Sequence, residues 1–348
     1  MSIEGCFMPL PPAYRMLRLV WTLLLAAALL PAAPSPQQPK AEELPTISVD
    51  VNVVNVFFTV RNKQGGLVND LDKADFTIEE DGQPQTIKYF SRQNDLPLTL
   101  GLLVDTSVSQ GALIDQERMA SSLFFREMLR AQKDQAFLIS FDVNVDLLQD
   151  LTDSSRLLRA GLDKLRVNAG GGGFGSGPVP SASKPRGTLL YDAVYLAADD
   201  VLKRQVGRKA AILITDGNDF GSQLNLKQAV AAAHKSDVIV YGILYLDRQF
   251  YYRSGGGMFG GFGGSGELKK MAEETGGRMF EVSKKKTLKD IYVELQQELR
   301  SQYSVGYTPT NTRGGAEFRR IKISTRNRDL RIQARQGYYP KSTGDAQP

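Results

Sequence analysis

The side chains that could do chemistry in this chain are oxygen donors that stand beside apolar runs of sequence. Two carboxylates and three hydroxyls share this placement: Asp105, Ser107, Ser109, Thr188 and Asp216. The first three follow the apolar run 98–104, and the last follows the run 210–215. The hydroxyl at position 188 stands where a loop is expected to enter a helix. A set of oxygen donors without nitrogen or sulfur is typical of a site for a hard cation such as Mg²⁺ or Mn²⁺.

The charge of such a site indicates what it would bind. Mg²⁺ prefers octahedral coordination and readily keeps water among its ligands. If the hydroxyls of Ser107, Ser109 and Thr188 bind the ion directly while the carboxylates act mainly through water, the charge of the ion is only partly neutralised. The ion then keeps an open position that attracts an outside carboxylate. We therefore expect a partner that presents an acidic residue.

The composition excludes several other kinds of site. The 348-residue chain has 1 Cys and 1 His, whereas a structural zinc site or a disulfide framework needs several such residues. A Ser/His/Asp triad would depend on the single histidine, His234, which we expect on the surface or at a helix end. The formal net charge of +5 does not by itself imply nucleic acid, and the sequence carries no recognisable nucleic-acid motif.

The elements that must position these donors alternate between strands and helices. Apolar runs predict strands over 98–104, 136–141, 210–215 and 238–246. Apolar residues at helical spacing predict helices over 113–130, 188–203, 226–234, 268–274 and 288–300. This alternation predicts a doubly wound α/β domain with a mostly parallel sheet. Ligands of such sheets bind beyond the carboxyl ends of the strands, which is where Asp105 and Asp216 stand.

Two segments with a β pattern flank the α/β region. In 47–91 apolar and polar residues alternate, and Gly65-Gly66 and Asp81-Gly82 stand where hairpin turns belong. A second alternating pattern extends over 303–339. Neither segment has enough strands to bury a complete core. We expect the two segments to pair and to form a small β-sandwich into which the α/β domain is inserted.

The N-terminus has the pattern of a secretory signal. Arg15 and Arg18 precede the apolar run 19–30, and prolines and small residues follow it at 31–35. The run is shorter than the ~20 residues of a spanning helix, so an uncleaved membrane anchor is the weaker interpretation. The start codon could be Met1 or Met16. We expect a secreted, periplasmic or cell-surface protein that contacts a membrane only through an uncleaved signal.

These patterns divide the chain into successive segments. They are a signal peptide (1–33), a Pro-rich linker (34–45), an N-terminal β segment (46–93), the α/β domain (96–301), a C-terminal β segment (302–340) and a disordered tail (341–348). Two glycine-rich runs, 170–177 and 255–266, lack the Lys-Ser/Thr of a P-loop and are expected to be flexible loops beside the metal face. We expect an apolar rim around the ligand from the large side chains within them: Phe174, Met258, Phe259 and Phe262.

Taken together, the donors resemble a known metal site. Asp105-x-Ser107-x-Ser109, Thr188 and Asp216 match, in order and spacing, the metal-ion-dependent adhesion site (MIDAS) of von Willebrand factor type A (VWA) domains. The resemblance covers roughly 97–301. It implies a Rossmann-like domain that binds a divalent cation, Mg²⁺ or else Mn²⁺ or Ca²⁺. It also implies that the domain engages a protein or extracellular matrix ligand, usually without catalysis.

The flanking segments resemble the VWFA-related proteins described as the acidobacterial type. Proteins of that type combine an exported N-terminus with a β segment similar to 75–82 of this chain. Their tails are similar to Gly306-Tyr307 and Gly337-Tyr338-Tyr339 here.

Simpler local roles are open for each part of the motif. Asp-x-Ser-x-Ser after a strand is also the pattern of a capping turn, in which side-chain oxygens accept from free backbone N–H groups. Thr188 alone is compatible with an ordinary helix N-cap, and Asp216-Gly217 with an ordinary turn. The combination of all three, in this order and on these elements, favours the metal site.

The function favoured by the sequence is non-catalytic binding or adhesion through the metal. One alternative is a metal-dependent hydrolase or phosphoryl-transfer enzyme that uses Asp105, and another is a structural envelope protein with a vestigial metal site. The enzyme is disfavoured because position 107 is Ser, where an aspartyl-phosphate enzyme would carry a second Asp. The C-terminal segment is rich in Arg, which we expect to form a solvated sheet face. An acidic envelope polymer is therefore a further candidate partner, whereas nucleic acid is not expected.

Overall fold

A six-stranded sheet forms the centre of the α/β domain in the computed structural model, which describes residues 53–93, 96–167, 187–247, 249–250, 264–312 and 317–340. In spatial order its strands are β10 (Met279–Glu281), β9 (Val238–Leu244), β8 (Arg208–Thr215), β5 (Leu98–Asp105), β6 (Gln135–Phe141) and β7 (Val145–Thr152). Neighbouring strands are parallel except for β6 and β7, which are antiparallel. The predicted α/β fold with a mostly parallel sheet is therefore confirmed.

Both faces of this sheet are covered by helices, which is why its inner strands are apolar along their whole length. In β5, Leu100 and Leu102 belong to the core on one face, and Leu103 belongs to the core on the other. The first face is covered by α1 (Ile114–Met128), α2 (Ser155–Leu162) and α6 (Leu288–Arg300). The second face is covered by α3 (Leu190–Leu196), α4 (Leu226–Lys235) and α5 (Gly264–Thr275).

The order of the strands creates a crevice between β5 and β8. From β5 the chain continues to β6 on one side of the sheet, and it later returns to place β8 on the other side of β5. The helices that follow β5 and β8 therefore leave the sheet toward opposite faces. In an open α/β sheet such a switch point is where ligands bind, just beyond the carboxyl ends of the two strands.

The two flanking β segments pair with each other, as the sequence predicts. One sheet has the order β13 (Leu330–Ala334), β1 (Val54–Asn62), β11 (Gln302–Tyr307), β4 (Tyr89–Gln93). The other has the order β14 (Gly337–Tyr338), β12 (Arg319–Thr325), β2 (Phe76–Glu80), β3 (Gln83–Gln85). Both sheets contribute to one apolar core, in which Phe58 stacks on Tyr303 across the β1–β11 pair. Each sheet thus needs strands from both ends of the chain.

A buried ionic cluster joins the last helix of the α/β domain to this β-sandwich. The Glu298 carboxylate in α6 is fully buried and accepts hydrogen bonds from Arg61 of β1 (2.5 Å) and Arg278 (2.8 Å). Its other oxygen accepts from Gln333 of β13 (2.8 Å). Because the donors come from separate segments, the cluster fixes the end of α6 against both β segments.

Two of the predicted helices differ from the structure by more than two residues at one end. The helix predicted over 188–203 begins only at Leu190, because the backbone of Thr188 is already paired with Phe220. It continues as a wider π-helical turn, Ala197–Val201, and a 3-10 turn, Leu202–Arg204. The helix predicted over 268–274 begins earlier, at Gly264, so the predicted glycine loop 255–266 was wrong at its end.

The edge strand β7 and the short helix α2 were not predicted. β7 is partly exposed along its length and lacks a continuous apolar run. It lies at the edge of the sheet, where a strand has a neighbour on one side only.

The β-sandwich covers polar side chains at both of two places where solvent exposure was considered. His234 lies at the end of α4, as expected, but it is buried and packs against Phe318 with 5.0 Å between ring centroids. The Arg-rich face is not uniformly solvated. Arg319 is buried against Glu80, and the side chain of Arg335 is largely buried and paired with Asp237.

Several predicted segments lie outside the described residues. They include the signal peptide, the Pro-rich linker, the C-terminal tail, the glycine run 170–177 and the residues of the predicted apolar rim. Within the part of the chain that the structure describes, no helix combines the length and apolar character needed to cross a bilayer.

Candidate metal site

Asp105 is the last residue of β5 and lies fully buried at the crevice between β5 and β8. One carboxylate oxygen, Oδ1, accepts a hydrogen bond from the backbone N–H of Ser107 at 2.9 Å. The other, Oδ2, accepts from the hydroxyl of Thr215, the last residue of β8, at 2.7 Å. The carboxylate is therefore held between the ends of the two central strands.

The two predicted serines connect this carboxylate region to the second one. The hydroxyl oxygens of Ser107 and Ser109 are 3.0 Å apart, and Ser109 Oγ donates to Asp216 Oδ2 at 2.7 Å. Asp216 directly follows β8, so the connection spans the switch point. Four of the five predicted donors are thus brought together at the carboxyl ends of neighbouring strands.

A single 3-10 turn, Val108–Gln110, places the two serine hydroxyls side by side. The turn is closed by a hydrogen bond from the Gln110 N–H to the Ser107 carbonyl, at 2.9 Å. Ser107 occupies the N-cap position, but its hydroxyl caps no backbone N–H. The capping-turn alternative therefore describes the Asp105 carboxylate, which accepts from Ser107 N–H, and not the serine hydroxyls.

The loop after β8 orients Asp216 by local hydrogen bonds. Asp216 Oδ1 accepts from both the backbone N–H and the side-chain amide of Asn218, at 3.1 and 3.2 Å. Between them, Gly217 has a φ of +86°, and a Cβ there would lie 2.8 Å from the backbone of Gly264 at the start of α5. The loop thus needs glycine both for its backbone conformation and for its close approach to α5.

Thr188 reaches the same loop through its backbone. It exchanges two hydrogen bonds with Phe220, each 2.9 Å long, in an isolated antiparallel bridge. The helix that follows begins at Leu190 with Leu189 as its N-cap, so the alternative role of Thr188 as N-cap is wrong. Its assignment as a metal ligand, like that of the other four residues, stays a prediction.

The electrostatics of the site favour a cation between the two carboxyl groups. Burial, and next the negative charge of Asp216, raise the pKa of Asp105 to about 7. Both effects disfavour the charged form of Asp105 unless a positive charge lies nearby. The described residues contain no cluster of three or more His, Cys, Asp or Glu side chains, so a bound ion would depend on hydroxyl oxygens as well. The oxygen donors that the structure brings together, on Asp105, Ser107, Ser109 and Asp216, are of the kind that a hard divalent cation prefers.

Three residues near these donors escaped the sequence prediction. Thr215 and Asn218 orient the two carboxylates, but their positions in the sequence resemble those of any polar residue at the end of a strand.

The third of these residues, Glu117 in α1, is fully buried, and neither of its carboxylate oxygens has a hydrogen-bond partner among the described residues. Burial, and next the charge of Asp105, hold its pKa well above the usual range. A signal for Glu117 existed, because it lies at helical spacing between the buried Ile114 and Ser121.

Comparison with known proteins finds a family match within the α/β domain. Residues 181–294 match the family model of the von Willebrand factor type A domain, a range that includes Thr188 and Asp216. The Rossmann-like fold implied by the sequence is the fold of this domain. No curated protein sequence matches the chain.

Solved structures with a similar fold share little sequence with this chain. Proximal thread matrix protein 1 from the mussel byssus is 14% identical, with a TM-score of 0.43 over 64% of this chain. This chain covers 51% of the mussel protein, about half its length. The same protein with a zinc-occupied MIDAS motif is 15% identical, with a TM-score of 0.44 over 64% of this chain and 50% of that one. An aerotolerance-related membrane protein from Bacteroides fragilis is 16% identical, with a TM-score of 0.41 over 58% of this chain and 98% of that one.

Proposed function

We propose that this chain, which contains a von Willebrand factor type A domain, is an exported, non-catalytic binding module that grips an acidic residue of a protein or matrix ligand through a divalent cation. Asp105, Ser107, Ser109, Thr188 and Asp216 would hold the ion, with Mg²⁺ as the first candidate. When bound, the ion would supply an open coordination position for an outside carboxylate.

One observation carries the proposal. A continuous hydrogen-bonded set crosses the β5–β8 crevice: Asp105 accepts from the backbone N–H of Ser107, the Ser107 and Ser109 hydroxyls are in contact, and Ser109 donates to Asp216. Thr215 and Asn218 fix the carboxylates, and the 3-10 turn fixes the serines. A hard cation binds most strongly where oxygen donors are pre-positioned in this way.

Binding is favoured over catalysis by the groups beside the donors. Hydrolysis or phosphoryl transfer needs a group that moves a proton at the site. The single histidine of the chain, His234, ends helix α4 just before β9 begins, so it lies at the opposite end of the sheet from the site. The carboxyl group of Glu117 interacts electrostatically with Asp105, but it is fully buried and makes no hydrogen bond to either site serine.

The first test is a calorimetric titration of Mg²⁺ and Mn²⁺ into the purified protein. We expect one ion per chain, and loss of the heat signal in Asp105→Ala and in the milder variant Ser109→Ala. Asp200→Ala is the matched control, because Asp200 is exposed and lies in the turns that follow α3, away from the crevice. Circular dichroism of each variant separates loss of the site from loss of the fold.

Two results would contradict the proposal. Identical titrations of the original protein and the Asp105→Ala variant would reduce the site to a hydrogen-bonded turn. Metal-dependent phosphatase activity that disappears in Asp105→Asn would replace binding by catalysis.

A further inference from the structure

Two large apolar side chains are exposed beside the candidate metal site. Phe220 retains 63% of its surface exposure, and Val108 retains 43%. Phe220 lies in the loop that also carries Asp216, and Val108 lies between the two site serines. Single exposed apolar residues are common on protein surfaces, but two of them beside one polar site form a surface that is partly apolar and partly polar.

The backbone of Phe220 is held in place although its ring is exposed. Its N–H and its carbonyl are both bonded to Thr188, and the next residue, Gly221, has a φ of +107°. A ring on a fixed backbone loses little conformational freedom when a partner covers it. Exposed aromatic residues of this kind are typical anchors of protein interfaces.

Val108 is fixed by the turn that forms the site. The turn is closed at Ser107 and at Val108 itself, whose carbonyl accepts from the Gly111 N–H at 3.2 Å. Val108 stands between Ser107 and Ser109 in the sequence, and 43% of its surface is exposed. Val108 and Phe220 thus lie on two of the loops that supply the donors.

We infer that the ligand is a protein segment in which an Asp or Glu is accompanied by a bulky apolar side chain, and that this apolar side chain packs against Phe220 and Val108. The inference rests on the proposed function and adds the class of partner to it. A divalent cation with only partly neutralised charge suits the acidic group, and the two apolar side chains suit its neighbour. An acidic polysaccharide would satisfy the ion but carries no bulky apolar side chain to pack against both Phe220 and Val108.

The experiment selects peptide ligands without assuming a natural one. A phage library of random peptides is applied to the immobilised protein in Mg²⁺, and bound phage are released with EDTA. We expect the released peptides to be enriched in Asp or Glu with a Leu, Met, Phe, Tyr or Trp nearby. Enriched peptides are then synthesised and their dissociation constants measured against the protein and its variants.

Phe220→Ser is expected to weaken peptide binding about tenfold or more, and Val108→Ser by a smaller factor. Both variants should still bind Mg²⁺ in the calorimeter, which shows that the site remains folded. Val206→Ser is the matched control. Val206 is 83% exposed but precedes β8 at the opposite end of the sheet, so its replacement should leave peptide affinity unchanged.

The outcomes separate this inference from the function on which it rests. Absence of Mg²⁺ binding overturns both. If Mg²⁺ binds but EDTA releases no enriched peptides, or if the peptides are acidic without an apolar preference, the inference is overturned and the metal site stands. Equal peptide affinity of the original protein and Phe220→Ser overturns it as well.

Discussion

The hydroxyl of Tyr307 donates a 2.6 Å hydrogen bond to the buried carboxylate of Glu80, and it thereby joins the two ends of the chain. Glu80 ends strand β2 and Tyr307 ends strand β11, so the bond connects the two sheets of the β-sandwich. Tyr338 and Arg319 donate to the same carboxylate, each at 3.0 Å. The flanking motifs that the sequence singled out therefore contribute to one buried cluster. These residues hold the two sheets of the β-sandwich together through hydrogen bonds to the Glu80 carboxylate.

Removal of one of these donors should destabilise the protein. Tyr307→Phe keeps the ring but leaves Glu80 with one donor fewer in a buried place. We expect the free energy of unfolding to fall by about 1–3 kcal/mol. Urea denaturation followed by circular dichroism measures this change. Tyr89→Phe is the control, because Tyr89 lies on the neighbouring strand β4 with its side chain exposed; equal losses in both variants would contradict the role of the cluster.

The sequence was sufficient for the parts of the fold that depend on continuous apolar runs. The strand predicted over 98–104 is β5, and the helix predicted over 288–300 is α6 with the same bounds. Strand β5 is a nearly continuous apolar run, and helix α6 has apolar residues at helical spacing, because both elements are buried in the core around the sheet. The same logic placed Asp105 and Asp216 at one edge, because parallel strands share their carboxyl ends.

The remaining features depend on contacts between residues distant in sequence. Thr188 looks like a helix N-cap until its backbone pairing with Phe220 is known. The start of α5 at Gly264 is hidden by its glycines, which are poor helix formers. Here their small size matters more, because a Cβ on Gly264 would overlap the backbone of Gly217. Neither pairing has a local signal.

Glu117 should make the metal-free protein less stable as the pH rises. Its pKa in the folded chain is above the ordinary value of 4.5, so between these two values the folded state binds more protons than the unfolded state. The loss of stability caused by the Glu117 carboxylate is absent below about pH 4.5, and it grows as the pH rises through the pKa of the folded state. In EDTA, Glu117→Gln should gain about 1–3 kcal/mol over the original protein at pH 8 and lose this advantage at low pH.

The matched control for this prediction is Glu127→Gln, because Glu127 lies on the same helix but is exposed. Urea denaturation of the three proteins at several pH values gives the comparison. A constant difference between Glu117→Gln and the original protein at every pH would show that the Glu117 carboxyl does not titrate differently in the folded chain.

His234 should have the opposite pH dependence. Burial, and next the positive charge of Arg335, lower its pKa from 6.5 to about 4, while Asp237 and a hydrogen bond with the backbone of Gly337 act in the other direction. Between these values the unfolded state binds more protons, so stability is lost as the pH falls from 6.5 toward 4, by about 3 kcal/mol in total.

Because the chain has 1 His, a proton NMR titration reports this pKa directly. The signal should titrate near pH 4 in the folded protein and near pH 6.5 in urea. His234→Gln should remove the corresponding slope from the stability curve. A folded-state titration near pH 6.5 would mean that the ring is open to water.

Gly217→Ala should weaken the metal site by moving Asp216. The backbone at Gly217 has a φ of +86°, which disfavours any side chain, and the added Cβ would lie 2.8 Å from the carbonyl of Gly264. The loop must then shift, and Asp216 moves with it away from Ser109. We expect Mg²⁺ affinity to fall at least tenfold and stability to fall by more than the ~1–2 kcal/mol of the backbone strain alone.

The control variant Gly82→Ala isolates that strain, because Gly82 has a φ of +79° with no atom within 4 Å of an added Cβ. This control should lose stability by the strain alone and bind Mg²⁺ normally. If both variants bind Mg²⁺ equally well, the contact between the two glycines does not position Asp216.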